Sequence, residues 1–174
     1  MSKAVLISIK PKWCEKIVNG NKTIEVRKTR PKLDTPFKCY IYCTLPKYPH
    51  EDFIATNYPR PQFYGGGKVI GEFTCDRIYE FEAKARGGSY YVKNEDQPTT
   101  NFIARQSCLD LKDMHDYLHA QTGYGWHISD LRIYDETREL SEFTGLRNTR
   151  FGAAPYDIKR APQSWCYVEE VRDE

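Results

Sequence analysis

Residues 20–27 read Gly-Asn-Lys-Thr-Ile-Glu-Val-Arg, a stretch that leads from the end of a helix into a strand. Pro11 suits the first turn of that helix, and Gly20 suits the position just after its end. The alternation that follows predicts a strand over 23–28 with its isoleucine and valine facing inward. Its polar residues are then expected on the opposite face: Thr23, Glu25 and Arg27.

The rest of the chain predicts more strands and one more helix. Runs of apolar, aromatic or β-branched residues predict strands over 4–9, 38–44, 68–81, 123–134 and 164–169. The spacing of its apolar residues predicts a helix over 107–119, in which Ser107 and Asp110 resemble a capping box. Residues 45–66 and 83–105 are rich in proline, glycine and polar residues, and we expect both to be loop excursions.

These elements predict an α+β domain rather than a doubly wound sheet, because strands and helices do not alternate regularly. A small mixed or antiparallel β-barrel with short helices packed on it fits them better. The chain has 174 residues and no recognisable linker, so the sequence predicts a single domain over 1–174.

The composition is that of a folded, water-soluble domain, with 40% hydrophobic and 14% aromatic residues. No apolar run is long enough to cross a membrane, and the N-terminus lacks the pattern of a signal peptide. We therefore expect a cytoplasmic protein.

Positive charge is concentrated in two places although the net charge is only +2. Residues 1–32 contain nine basic side chains against Glu15 and Glu25. A second group surrounds Asp157 and consists of Arg147, Arg150, Lys159 and Arg160. Such segments indicate either a surface that faces a polyanion or ordinary solvated faces, and charge alone does not decide between them.

The six cysteines and four histidines do not form a metal-binding pattern. Cys39 and Cys43 are four residues apart, but a zinc site needs a second close pair and none is present. The cysteines are expected to be reduced thiols, and we predict no metal and no cofactor. A divalent metal would enter only if the protein were a nuclease.

Gly20, Lys22, Glu25 and Arg27 together resemble the Gly-x-Lys-x-x-Glu-x-Arg motif of the ASCH family, in the PUA-like superfamily of nucleic-acid-binding β-barrels. The preceding helix is in the place that the family pattern requires. Residues 69–73 are similar to the central strand of the family, and residues 161–168 to the terminal strand of its bacterial and phage-borne branch. The resemblance implies a PUA-like barrel in which the motif lines a cleft for a nucleotide or base.

This resemblance leaves three functions open. The first is a nucleic-acid-binding module that recognises RNA or a modified base or nucleotide. The second is a hydrolase that acts on RNA or on a modified nucleoside such as N4-acetylcytidine. In the amidohydrolase group the motif lysine matches Lys22, but its threonine falls at Glu25, with Thr23 nearby. The third is a protein-interaction domain. Because only the second of these functions is enzymatic, whether the chain is an enzyme stays open.

The candidate site residues follow from the motif and from the aromatic stretches. Candidate catalytic residues are Lys22, Glu25 and Thr23. Candidate ligand-binding residues are Arg27, Trp126, Ser164 and Trp165. Trp126 and Trp165 adjoin polar residues and could stack on a base, although core packing is the alternative for such side chains. Because the motif side chains are expected to be accessible, we expect changes at Lys22 or Glu25 to remove ligand binding at little cost in stability.

Overall fold

The computed structural model describes residues 2–55, 63–83, 90–93 and 100–172. The strands of these ranges are β1 (Lys3–Ile9), β2 (Ile24–Arg27), β3 (Phe37–Cys43), β4 (Ile54–Ala55), β5 (Phe63–Tyr64), β6 (Lys68–Ala83), β7 (Tyr90–Val92), β8 (Gly123–Arg138), β9 (Thr144–Thr149), β10 (Gly152–Asp157) and β11 (Trp165–Glu169). The helices are α1 (Pro11–Val18), α2 (Thr100–Ser107) and α3 (Leu111–Leu118). No helix among the described residues is long and apolar enough to cross a membrane.

One compact unit is formed by residues 1–15, 37–74 and 130–174. Its strands follow the order β10-β9-β11-β1-β3-β6-β8, with the first half of β6 and the second half of β8. β1 runs parallel to β3 and antiparallel to β11. The core of this unit contains buried residues of β1, β3, β6, β8 and β11 together with two residues outside the strands: Ala4, Leu6, Tyr40, Tyr42, Val69, Tyr134, Phe143, Ile158 and Val168.

The second compact unit is formed by residues 16–36 and 75–129. It contains β2, the second half of β6, β7, both later helices and the first half of β8. β2 pairs antiparallel with β8, so that Glu25 lies opposite Trp126 and Arg27 lies opposite Tyr124. The helices and strands share one core: Ile24, Val26, Tyr79, Phe81, Tyr90, Val92, Ile103, Met114 and Leu118.

The predicted passage from helix to strand at residues 20–27 is confirmed. α1 begins at Pro11, and the chain turns at Gly20, which has a φ of +81°. A side chain at this backbone angle would be strained, which is why glycine suits the position. β2 then begins at Ile24, close to the predicted start of the strand.

The predicted closure into a β-barrel is wrong. In the strand order, β10 is the edge strand of the first unit, and β2 is the edge strand of the second unit. β10 contains Pro155, which has no N–H to offer a further strand. Just before β2, the backbone N–H of Thr23 is bonded to the Gln106 carbonyl of α2. The described strands therefore form a large sheet that is not closed.

The helix predicted over 107–119 is present as α3, but it is shorter than predicted. The structure has two helices here, because Ser107 ends α2 and α3 begins at Leu111. Asp110 caps α3, and its side chain accepts a hydrogen bond from the Asp113 backbone. Between the helices, Cys108 has a φ of +58°, which breaks the helical path.

The two predicted loop excursions contain regular structure. β4 and β5 lie within 45–66, while β7 and most of α2 lie within 83–105. Within the two segments, 56–62, 84–89 and 94–99 lie outside the described residues.

The cap of α3 should contribute measurably to stability. Asp110→Ala removes the acceptor that lies 2.7 Å from the Asp113 backbone nitrogen. We expect the free energy of unfolding to fall by about 1 kcal/mol, measured by urea denaturation. The control is Asp116→Ala, which removes exposed pairs with Lys112 and His115 and should change stability by less than about 0.5 kcal/mol. Equal effects of the two substitutions would contradict the capping role.

Candidate functional site

The ammonium group of Lys22 is buried and fully engaged inside the protein. Lys22 is only 3% exposed although it is a lysine. Its Nζ donates to the carbonyl of Ile24 at 2.9 Å and to the carbonyl of Ser107 at 2.8 Å. It also lies 3.1 Å from Oε2 of Glu25. The ammonium group therefore has two carbonyl acceptors and an ion-pair contact with Glu25, and the side chain joins β2 to the end of α2.

Glu25 lies between two cations. Its Oε1 accepts hydrogen bonds from Arg27, at 3.0 Å from Nε and 2.9 Å from Nη2. Burial raises the pKa of Glu25, but the charges and hydrogen bonds of Lys22 and Arg27 outweigh that effect and hold the pKa below its ordinary value. Glu25 therefore stays ionised at neutral pH, and the group consists of a buried carboxylate shared by two cations.

These contacts change the expected consequence of mutation. Glu25 and Arg27 are 6% and 8% exposed, so all three charges of the group lie in the interior. Removing one partner would leave a buried charge uncompensated, which is far more costly than removing a surface ion pair. We therefore revise the expectation that Lys22 and Glu25 could be changed at little cost in stability.

Thr23 is also held within the protein. Its hydroxyl donates to the side-chain oxygen of Gln106 at 2.5 Å, and its backbone N–H donates to the Gln106 carbonyl at 2.8 Å. Its own carbonyl accepts from the backbone of Ile128. Thr23 thus fixes the start of β2 between α2 and β8.

The tryptophan of β8 belongs to the interior. Trp126 is 0% exposed and lies opposite Glu25 in the β2–β8 pair. A base cannot reach the face of a side chain that is fully covered, so Trp126 serves as core packing rather than as an open stacking platform.

The next residue of β8 forms a separate polar group. Nδ1 of His127 lies 2.6 Å from Oδ1 of Asp76, and the Ser129 hydroxyl lies 3.2 Å from the same nitrogen. Partial burial raises the pKa of Asp76, but the hydrogen bonds from His127 and Ser129 hold it below its ordinary value. Asp76 and Ser129 both contact Nδ1 of His127. In a catalytic triad the carboxylate and the hydroxyl bond to different ring nitrogens of the histidine, so these three residues do not have that geometry.

A lysine and a tyrosine extend the site beyond the buried charges. The ammonium group of Lys28 lies 5.0 Å from the centroid of the Tyr117 ring. Burial raises the pKa of Tyr117, the Arg27 charge and a Lys28 backbone hydrogen bond oppose that shift, and the Glu25 charge adds to it. The tyrosine therefore lies within electrostatic range of the buried group, while 38% of the residue's surface remains exposed.

A cavity of about 310 Å³ opens beside Lys28 at the end of α3. Its walls combine one apolar side chain with groups that donate and accept hydrogen bonds: Lys28, Leu118, His119, Gln121 and Thr122. The chain turns sharply here because His119 and Ala120 have φ values of +50° and +58°. The volume is at the lower end of the range for small-molecule sites.

The remaining two candidate residues lie in the other compact unit. The carbonyl of Ser164 accepts a hydrogen bond from the Ser8 backbone at 2.9 Å. Trp165 pairs with Ile7 and packs edge-on against Tyr167, with 5.3 Å between the ring centroids. Lys22, Thr23, Glu25, Arg27 and Trp126 are the predicted residues that the second unit brings together.

No group of three or more histidine, cysteine, aspartate or glutamate side chains in the described ranges is placed to hold a metal ion. All six cysteines are free thiols, and Cys14, Cys39, Cys43 and Cys75 are buried. Burial raises the pKa of Cys75 to about 12. That thiol is therefore neutral at physiological pH and a poor ligand or nucleophile.

Comparison with solved structures identifies the type of fold. The chain is similar to a mutant of the ASCH protein from Zymomonas mobilis, with a TM-score of 0.53, 16% identity, and coverage of 97% of this chain and 92% of that chain. It matches another structure of ASCH from the same organism with a TM-score of 0.52 and 16% identity, covering 96% of this chain and 88% of that chain. The protein therefore has an ASCH-type fold. No family model and no curated protein matches the sequence.

Sequence reasoning included Lys28 only as one of the basic residues of 1–32, and it did not find Tyr117 or the pairing of the two side chains. The pair joins the end of β2 to α3, far apart in the chain, and neither residue lies in the motif. His119 stands at the end of a predicted helix, where a surface position is the ordinary expectation. Only the folded arrangement of α3 and β2 places Lys28 and His119 around one cavity and brings Tyr117 against Lys28.

Removing the charge of Lys22 should destabilise the protein strongly. Lys22→Met keeps the length of the side chain but leaves Glu25 without one of its two cations and two buried carbonyls without a donor. We expect the free energy of unfolding to fall by about 3–5 kcal/mol, measured by urea denaturation. Lys112→Met is the matched control because the Lys112 side chain is 81% exposed, and it should change stability by less than about 0.5 kcal/mol. A small effect at Lys22 would mean that the buried ion group is dispensable for folding.

The stabilisation that Glu25 provides should depend on pH. Its folded-state pKa lies below the ordinary value of 4.5, so its contribution is complete above that value and is lost as the pH falls through the folded pKa. The stability difference between the wild type and Glu25→Gln should be constant near neutral pH and shrink in acid. Chemical denaturation at a series of pH values measures it, with Glu51→Gln as an exposed control. A difference that persists unchanged in acid would show that the ionised carboxylate is not the stabilising form.

Proposed function

We propose that this protein is a PUA-like module that binds single-stranded RNA, or a modified base or nucleotide, in the cavity beside Lys28. The observation that carries this proposal is the combination of Lys28, an exposed Tyr117 ring and a polar cavity of about 310 Å³. RNA recognition commonly uses an unstacked base that lies on an aromatic ring and is bonded along its edge. The cavity supplies the polar groups at a size that suits one base rather than a duplex, and the aromatic ring is Tyr117, which lies against Lys28 at the cavity wall.

Each part of this surface has a chemical role in the proposed complex. The Lys28 ammonium group binds a phosphate as a point charge. The exposed face of Tyr117 stacks on a base. The Gln121 amide and the Thr122 hydroxyl both donate and accept hydrogen bonds, so they can distinguish base edges.

The buried ion group positions this surface. Lys22 fixes β2 to the end of α2, and Arg27 immediately precedes Lys28 in the chain. A fixed strand end holds Lys28 at the cavity, which reduces the entropy lost on binding. In this proposal Lys22, Glu25 and Arg27 are positioning residues.

The contacts of the motif residues favour binding over hydrolysis. An amidohydrolase or ribonuclease centred on the motif would need Lys22 or Thr23 to reach the substrate. The Lys22 ammonium has two carbonyl acceptors and an ion-pair contact inside the protein, and the Thr23 hydroxyl donates to Gln106. Catalysis by either residue would require these contacts to break first.

Charge removal at the cavity should weaken RNA binding. We expect Lys28→Gln to reduce affinity for a single-stranded RNA by about fivefold, since a charged hydrogen bond is lost. The slope of log affinity against log salt should become shallower by about 0.7, the loss of one phosphate contact on a single strand. Fluorescence anisotropy at several salt concentrations measures both.

Lys112→Gln is the matched control, because it removes the same charge from an exposed position in α3. It should leave affinity and salt slope unchanged. If wild-type protein binds no RNA, nucleotide or modified nucleoside at low salt, the proposal fails and a protein-interaction domain is favoured. If the protein releases products from RNA or from N4-acetylcytidine, and Lys22→Arg abolishes them while folding normally, a hydrolase is favoured instead.

A further inference from the structure

The β9–β10 hairpin has an ordered tip that extends past its neighbour. β11 pairs with β9 only at Gly145, and Leu146 is the last buried residue of β9. Beyond it, β9 and β10 pair only with each other as far as Thr149 and Gly152. The distal half of the hairpin is therefore exposed on both faces.

Hydrogen bonds fix the two residues of the turn. The Thr149 hydroxyl donates to the Gly152 carbonyl at 2.8 Å and accepts from the Phe151 backbone at 3.2 Å. Gly152 has a φ of +108°, a conformation that favours glycine. Arg150 and Phe151 are thus presented on a rigid turn.

Phe151 is 86% exposed, the highest value among the exposed large hydrophobic side chains of the described residues. The Arg150 guanidinium lies 4.6 Å from the centroid of its ring. Phe151 makes no contribution to a core from this position. It offers an open aromatic face beside a planar cation.

Two basic side chains, Arg147 and Arg150, lie in the distal half of the hairpin with Phe151, whereas Lys159 and Arg160 follow the other end of β10. The second basic group of the sequence consists of exposed side chains on the hairpin and just after it: Arg147, Arg150, Lys159 and Arg160. Asp157 is the single acidic residue between positions 147 and 160. The partner that fits this surface is therefore an anion.

The chemistry of the tip selects among anionic partners. A membrane would require an apolar face, but the residues beside Phe151 in the turn are polar or glycine. In a duplex the bases are stacked on each other, and insertion of Phe151 would first have to unstack them. A single strand presents open base faces together with phosphates, which matches an aromatic ring flanked by arginines.

We propose that the β9–β10 hairpin is a binding site for single-stranded nucleic acid. Phe151 stacks on a base, while Arg147 and Arg150 contact the phosphates on either side of it. This site is separate from the cavity beside Lys28, belongs to the other compact unit, and does not depend on the function proposed there.

The stacking role is tested on the full chain with oligouridine that contains 4-thiouridine. Phe151→Ser should weaken binding about tenfold by fluorescence anisotropy, since stacking on an aromatic ring is lost. Leu45→Ser is the matched control, because Leu45 is 74% exposed in the same unit and should not affect binding. Phe151→Trp should retain wild-type affinity or exceed it.

Photocrosslinking identifies the site directly. Irradiated complexes digested with trypsin should carry RNA on the peptide Phe151–Lys159, and fragmentation should place it at Phe151. The same crosslink should survive in Lys28→Gln, which separates this proposal from the cavity. A crosslink that maps elsewhere, or equal affinity of wild type and Phe151→Ser, would overturn the proposal.

Charge and partner class are tested together. Replacing Arg147 and Arg150 by glutamine should make the salt slope shallower by about 1.4, the loss of two contacts on a single strand. Binding of duplex RNA that is as tight as binding of the single strand would overturn the proposal. So would association with anionic vesicles that Phe151→Ser abolishes while RNA binding stays intact, because the partner would then be a lipid surface.

Discussion

The three buried contacts of the Lys22 ammonium group, two hydrogen bonds and one ion pair, are the constraint on which the second compact unit depends. They bring together the start of β2, the end of α2 and the carboxylate of Glu25. A buried ion group of this kind need not stabilise a protein more than apolar side chains of equal size. Its value is geometric, because a lysine can make three such contacts only where all three partners occupy fixed positions. The arrangement therefore defines one position for β2 against α2.

The proposed binding surface follows from this constraint. β2 is a short strand of four residues, and Lys28 comes directly after it. On the other side, the Asp110 cap fixes the beginning of α3, the helix that provides Tyr117 and Leu118. Two independently anchored elements thus define the cavity. This arrangement explains why charged residues can be buried in the motif while the groups proposed to face a ligand lie outside it.

The sequence predicts the local features well and the distant contacts poorly. Pro11 and Gly20 mark the limits of the first helical segment through backbone preferences that act locally, and the motif indicates the ASCH-type fold. Burial of Trp126 and the pairing of Lys28 with Tyr117 depend on contacts between strands and helices that are remote in sequence. The prediction of a closed sheet is wrong for the same reason, because the pairing of the first and last strands of the sheet depends on the whole fold rather than on the sequence of any one strand.

Pro155 has a consequence for how the protein behaves at high concentration. The last strand of an open sheet can pair with the same strand of another molecule, and repeated pairing leads to aggregation. A residue without an N–H in the middle of a six-residue strand interrupts that ladder. The exposed aromatic turn of the same hairpin is thereby kept from becoming the starting point of intermolecular sheet growth. An unpaired sheet edge and an exposed aromatic side chain can then be present in the same hairpin.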